Sequence, residues 1–585
     1  MSRQHSAPIL LELDLSHPLV EHEPDDPIAK LRSRGKPRLR PILKALHEAG
    51  DDHRVVGLVA KVGDTSMSLA HAQEIRDAVG AFAASGKPTI AWTDTFGESG
   101  NGTVPYFLAT GFGEIWLQPT GELNLAGVVA EVAFLRGALD KLGVEPQIGQ
   151  RYEYKNAADR IVATGFTDAH REALDRIAGS AWEQITEAIA KARGLAVDEV
   201  SRLADRAPLF ADEALAARLV DHAGYRDEVY AAARRGAGGD VRLLFADRWS
   251  PNTSPVTKVV RRVRDKDAPG VALVDGFGGI VTGRSRRSPL QGRLMGSYTV
   301  AAAIRAAVSD EKTRAIVFRV DSPGGSAVAS DTIWREVACA RQSGKPVVVS
   351  MGAVAGSGGY YVACNADQIV AQPGTLTGSI GVLGGKPVTT GLTDRLGLRY
   401  DAVQRGAHAR LTSTHVPYDD SQRERLEAML DRVYDDFTRK VADGRGMSRE
   451  AVHDVARGRV WTGADAAGIG LVDTLGGLRD AARIARSRAG LPPDAPVRPA
   501  VSVPMLARLK PPRSSDDPRA AAGVSTSAGS LSAEGLATAT VAAATLAAGS
   551  ELAAWFDGWG PFADLARALG LPALGPLTML PVTLR

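Results

Sequence analysis

Short apolar runs rich in Val, Ile and Ala alternate along this chain with longer segments whose apolar residues recur at helical spacing. In the second half, 271–274, 315–320 and 346–350 read as strands, with helices at 299–308 and 331–342 between them. Strands that are continuously apolar and separated by amphipathic helices argue for parallel pairing with both sheet faces covered. Longer helices follow near 168–193 and 421–443. The expected fold class is α/β, with parallel sheets flanked by helices.

The pattern occurs twice. Ser-Gly-Lys-Pro stands at 85–88 and again at 343–346, each time before a β-rich run. Gln118-Pro119 matches Gln372-Pro373 at an offset of 254, as Tyr106 matches Tyr360 and Gly127 matches Gly381. Leu219-Val220-Asp221 matches Leu471-Val472-Asp473 at an offset of 252, a drift that loop insertions and deletions leave. The expected organisation is a first half at 1–247, a linker at 248–270, a second half at 271–491 and a tail at 492–585. The linker's basic residues (Lys258, Arg261, Arg262, Arg264, Lys266) read as a solvated connector. In the tail, 513–533 is rich in Ser, Ala, Asp and Gly and reads as flexible. Apolar residues return after 555, with a short amphipathic helix expected at 559–569.

Composition narrows the function. A net charge of +3 over 585 residues gives no reason to expect a nucleic-acid partner. Two cysteines, Cys339 and Cys364, make neither a disulfide framework nor a metal-ligand spacing, and the eleven histidines form no ligand pair. No metal and no cofactor is expected. The apolar run near the N-terminus is short and interrupted by Glu12 and Asp14, unlike a signal peptide. The weakly apolar stretch 535–556 is broken by Glu551 and falls short of a membrane span.

The candidate chemistry lies in MGAVAGSGGYYVA, residues 351–363, some thirty residues after a DSPGGS turn at 321–326. Ser357 stands among glycines where a Val-rich strand gives way to a helix. Such a corner lifts a hydroxyl clear of its backbone and leaves N–H groups free to bind an oxyanion. Taken alone, Ser357 is equally compatible with close strand–helix packing. A nucleophilic serine needs a base, and neither His408 nor His415 lies in a context that implies one. The duplication supplies another candidate. At offset 254 Ser357 pairs with Thr103, followed by Pro105, and the first half has no counterpart of DSPGGS; it has instead Lys155 in RYEYKNAAD, where the second half has Ala409. A lysine in an apolar setting loses charge and serves as a general base; Tyr152 and Tyr154 are expected to provide that setting.

Together, GSGGYY, DSPGGS, TLTGSIGV (375–382) and YKNAAD (154–159) resemble the signal peptide peptidase family of the SppA (protease IV) type, in its long duplicated form, over residues 8–490. The resemblance implies tandem crotonase/ClpP-like domains and a serine endopeptidase with a Ser–Lys dyad split between the halves. It makes Ser357 the nucleophile, Lys155 the base and Ser379 the hydrogen-bonding partner of that lysine. It assigns the oxyanion N–H groups to Gly325 and Gly358. It also implies hydrophobic peptide substrates such as cleaved signal peptides, a homo-tetramer and membrane association. Since no anchor is visible, the chain is expected to be cytoplasmic or to contact the membrane peripherally, and its apolar tail has two candidate places, the membrane and the chain's own substrate groove. The alternatives are a crotonase-type acyl-CoA enzyme and a non-catalytic peptide-binding scaffold.

Overall fold

A computed structural model describes residues 8–21, 36–63, 67–98, 100–251, 267–288, 292–501 and 577–578. The basic linker cluster, the stretch 513–556 and the helix expected at 559–569 lie outside the described residues.

Each half is built on a parallel sheet, and the two sheets repeat one strand order. The first runs His222–Ala223, Glu114–Leu117, Thr89–Thr93, Val55–Val62, Ile9–Leu15, Arg242–Phe245. The second contains Thr474–Leu475, Gln368–Ala371, Val347–Gly356, Thr313–Ser322, Gly270–Phe277, Val497–Pro499 in the corresponding places. The last of these strands lies beyond residue 491, so the second sheet continues into the segment whose composition reads as a tail. Its Val497 pairs with Val271 along the sheet edge. Val347, Val348 and Val349 are fully buried, because helices cover both faces. Each half has its own main apolar core.

The duplication extends to single hydrogen bonds. The Tyr106 hydroxyl donates to the Leu219 carbonyl, and the Tyr360 hydroxyl to the Leu471 carbonyl. Lys87 Nζ donates to the carbonyls of Ala49, Gly50 and Asp52, as Lys345 Nζ does to those of Ala307, Val308 and Asp310. The two long helices, Asp168–Arg193 and Asp420–Arg445, both have 26 residues. Thr167 and Asp419 accept from the backbone N–H three residues on, and Gly194 and Gly446 end the helices at φ of 63° and 64°.

What joins the halves also aims the site. Glu145–Arg151 of the first half pairs antiparallel with Val382–Val388 of the second, from Val382 opposite Arg151 to Val388 opposite Glu145. Gly149 faces Gly384 in this ladder, and a Cβ on Gly149 would stand 2.7 Å from Leu430, so the bare backbone lets the helix Asp420–Arg445 lie on it. In return, Leu174 and Ile177 of the first half's long helix pack on Leu376, just before Ser379.

A buried ionic cluster makes a second seam. Arg319, 1% exposed, donates Nε to Glu21 and Nη2 to Glu74, both from the first half. His71 Nε2 lies 3.2 Å from the other Glu21 oxygen. The Arg319 guanidinium holds the Glu21 carboxyl far below the usual carboxylate range despite burial, and Glu21 in turn raises His71. Burial and the nearby Glu21 raise Asp321. Glu21, His71 and Asp321 bring their ligand atoms within 4.8 Å of one another, and Glu21 is already paired with Arg319.

Candidate active site

The strand Val347–Gly356 ends one residue before Ser357. Beside the DSPGGS turn its pairing slips: Val320 faces Met351, but Ser322 faces Ala355. Asp321 fills the slip, its Oδ1 accepting from Val354 N–H at 3.0 Å. The chain then turns through Ser357 at φ 53° into the helix Gly358–Tyr361. Positive φ is costly for serine and holds only where neighbours enforce it. Here Ser357 N–H donates to the Gly378 carbonyl at 2.8 Å, and Tyr361 N–H donates back to the Ser357 carbonyl.

The turn folds onto this corner. Ser322 Oγ donates to the Gly278 carbonyl and accepts from Gly324 N–H. Gly325 has φ 154°, and a Cβ there would sit 2.2 Å from the Ile280 carbonyl oxygen. A Cβ on Gly358 would stand 2.7 Å from Ser330 Oγ and 3.2 Å from Gly325 N. Both positions are therefore too close to their neighbours for a side chain, and Gly358 packs against the Gly324–Gly325 backbone. The N–H of Gly358, first in its helix, has no intrahelical acceptor.

Lys155 arrives from the first half at the end of the cross-half ladder. Its Nζ lies 2.7 Å from Ser357 Oγ, 2.9 Å from the Ser379 carbonyl oxygen and 3.1 Å from Ser379 Oγ. Lys155 and Ser357 are both buried, and desolvation pushes the lysine well below its ordinary value of 10.5. Ser379 is held at φ 50°, with its N–H donating to the Arg459 carbonyl. Five sequence-selected residues thus converge: Lys155, Ser357 and Ser379 through hydrogen bonds, Gly325 and Gly358 beside them.

The two tyrosines do not supply the apolar setting. Tyr152 is 42% exposed and packs edge-on against Tyr434 and His453, while Tyr154 donates its hydroxyl to Glu172. Backbone from the second half lies against the lysine. Gly458, at φ 89°, would place a Cβ 2.5 Å from both Lys155 N and Cα. Sequence reading missed Gly458, which carries no motif, as well as Ser322 and the Asp159–His170 pair. His408 is exposed against Ser421, and His415 stacks on Tyr400. In the first half Thr103 Oγ1 donates to the Gly127 carbonyl.

The leading edge of the turn is extended backbone. Leu577–Thr578 pairs antiparallel with it, Thr578 opposite Gly324 and Leu577 opposite Gly325. Of the tail beyond 501, this pair alone is described, and it lies on the chain's own site.

Comparison with known proteins accords with this arrangement. Residues 81–239 and 339–492, one stretch in each half and together more than half of the chain, match the model of Peptidase family S49. The chain is 31% identical to Protease 4 of Salmonella typhi over 454 residues, covering 75% of this chain and 70% of that one. It is 29% identical to Serine protease SPPA, chloroplastic, of Arabidopsis thaliana over 467 residues, covering 78% and 67%. Protease 4 of Haemophilus influenzae matches at 29% over 454 residues, covering 75% and 71%. The chain belongs to peptidase family S49, as a serine protease of the duplicated SppA type.

Proposed function

We propose that this protein is a Ser–Lys endopeptidase that cleaves hydrophobic peptides, cleaved signal peptides among them, at or near a membrane. The observation that carries the reading is the 2.7 Å separation of Lys155 Nζ and Ser357 Oγ inside a desolvated site. Neutral Lys155 takes the Ser357 proton as Oγ attacks the peptide carbonyl carbon. The Gly325 and Gly358 N–H groups hold the oxyanion, at about 3 kcal/mol for each donor. Lys155 passes the proton to the leaving amine, and the C–N bond breaks. In the second half-reaction Lys155 takes a proton from water as its oxygen attacks the acyl carbon; the C–Oγ ester bond then breaks, releasing the carboxylic product, and Lys155 returns the proton to Ser357 Oγ.

The peptide substrate is supported by the edge at Gly324–Gly325, which already accepts an extended backbone in antiparallel register. Among the described residues no helix is long and apolar enough to cross a membrane; peripheral contact belongs to the same proposal. Assembly as a homo-tetramer belongs to the same proposal.

The test is cleavage of casein and of a synthetic signal peptide by the wild type, Ser357→Ala and Lys155→Ala, together with a mass shift on Ser357 after a fluorophosphonate probe. Loss of turnover in both variants with folding intact is expected. An unlabelled Ser357 with turnover of acyl-CoA thioesters would favour a crotonase-type enzyme, and peptide binding without turnover a scaffold.

A further inference from the structure

Beside Ser379 lies a small cavity whose lining includes Tyr154, Asn156, His170, Leu174, Ile177 and Ser379. The space open to the centre of a water molecule is about 20 Å³. One water needs roughly 10–15 Å³ and two or more polar partners. His170 is 1% exposed, and its Nε2 has no hydrogen-bond partner among the described residues. Its Nδ1 is committed: it lies 3.0 Å from Asp159 Oδ2, which also accepts from Asn156 Nδ2 and Thr167 Oγ1. An oxygen accepting from all three leaves the His170 proton on Nδ1, so Nε2 is an acceptor without a donor. A buried polar atom of that kind costs about 1–3 kcal/mol unless something bonds to it.

The same bookkeeping at Lys155 produces a complementary gap. A neutral amine has two hydrogens and one lone pair. To act as a base toward Ser357 it must point the lone pair at Oγ and spend its two hydrogens on the Ser379 carbonyl and Ser379 Oγ, the other two contacts it makes. Ser379 Oγ is then an acceptor, and its own hydrogen must go elsewhere. Turned back toward Lys155, that hydrogen would occupy the lone pair and disable the base.

We propose that one ordered water in this cavity accepts from the Ser379 hydroxyl and donates to His170 Nε2, making Asp159–His170 the positioning pair that keeps the Lys155 lone pair aimed at Ser357. This rests on the Ser–Lys reading. Every hydrogen bond then runs one way: Lys155 to Ser379, Ser379 to water, water to His170 Nε2, and His170 Nδ1–H to Asp159. The charged groups around the ring are Asp159 on its own side, Lys155 beyond Ser379, Arg171 over the Phe166 ring that packs on His170, and Glu172 with Arg457 and Arg459 around Tyr154.

His170→Phe keeps the ring and removes the acceptor. Expected are a folded protein, kcat lowered by about 10- to 100-fold, the usual size for an orienting partner, and an unchanged KM for a hydrophobic peptide. His170→Gln, which can place an acceptor on that edge, should recover part of the rate. A wild-type crystal structure resolving waters should show one within hydrogen-bond reach of both His170 Nε2 and Ser379 Oγ. A dry cavity, or His170→Phe with wild-type kcat, overturns the inference. If Lys155→Ala is inactive while His170→Phe is unaffected, this inference alone falls. If Lys155→Ala still turns over, the Ser–Lys reading falls first and takes this with it.

Discussion

Lys155 Nζ and Ser357 Oγ meet at 2.7 Å although 202 residues separate them and each comes from a different copy of the repeated fold. The antiparallel ladder between Glu145–Arg151 and Val382–Val388 makes this possible. It ends next to both Lys155 and Ser379, so one set of backbone hydrogen bonds sets the position of both. A register slip in that ladder would reverse which face each side chain occupies.

Gly458 is the backbone against which Lys155 rests. Gly458→Ala would put a methyl group 2.5 Å from Lys155 N and Cα at a positive φ that alanine disfavours. The lysine must move, and a displacement near 1 Å costs about 100-fold in rate. Steady-state kinetics should show kcat falling with secondary structure unchanged by circular dichroism. A variant as fast as wild type would show that the contact is not needed.

The lowered pKa of Lys155 has a signed consequence for stability. The unfolded chain's lysine takes up its proton as pH falls through 10.5, whereas the folded one resists until much lower pH. Between those points the unfolded state binds more protons, so this residue's penalty on folding is absent above 10.5 and grows as pH falls to the folded value. Lys155→Met, which keeps the apolar stem, should therefore be more stable than wild type at neutral pH, with the gap closing toward pH 10.5. Urea denaturation at pH 7 and pH 10 checks this; a pH-independent gap would contradict it. Activity should show the companion effect, with kcat/KM rising through the lowered lysine value and reaching its plateau well below 10.5.

Arg319 is the cation for two buried carboxylates, Glu21 and Glu74. Arg319→Leu would strand both and should destabilise the protein by about 3–5 kcal/mol. Adding Glu21→Gln and Glu74→Gln should return part of that loss. Chemical denaturation of the single and triple variants measures both effects, and a neutral single variant would mean that the carboxylates reach water.

The pairing of Leu577–Thr578 with Gly324–Gly325 places the chain's own tail where an incoming peptide would pair. Ending the chain before residue 577 should raise kcat/KM for short peptides and leave kcat unchanged, because a tethered competitor raises the apparent KM. Equal progress curves for the full-length and shortened proteins would exclude occupancy of that edge in solution.

Much of the molecule was readable along the chain, for local reasons. Val-rich runs such as 347–349 are apolar on both faces because a parallel sheet is covered on both, and the shared Ser-Gly-Lys-Pro segments mark one element in each copy. Ser357 stood out because a glycine-flanked strand-to-helix corner lifts a hydroxyl clear of its backbone, whereas Gly325, Gly358 and Ser379 were picked out through the family resemblance. Lys155 was recognisable through its absence from the second copy, at Ala409. What surrounds it was not: Tyr152 is exposed, Tyr154 gives its hydroxyl to Glu172, and Gly458 lies against the Lys155 backbone from three hundred residues away.

Residue order thus determined the repeated α/β units, their caps and turns, and which copy holds the hydroxyl and which the amine. Those features depend on propensities and contacts a few residues apart. Only the folded chain decided the 2.7 Å approach, the desolvation of Lys155, the Arg319 seam and the His170 cavity. Each arises where segments far apart in sequence exclude water together, and burial at such a junction is a property of the whole packing.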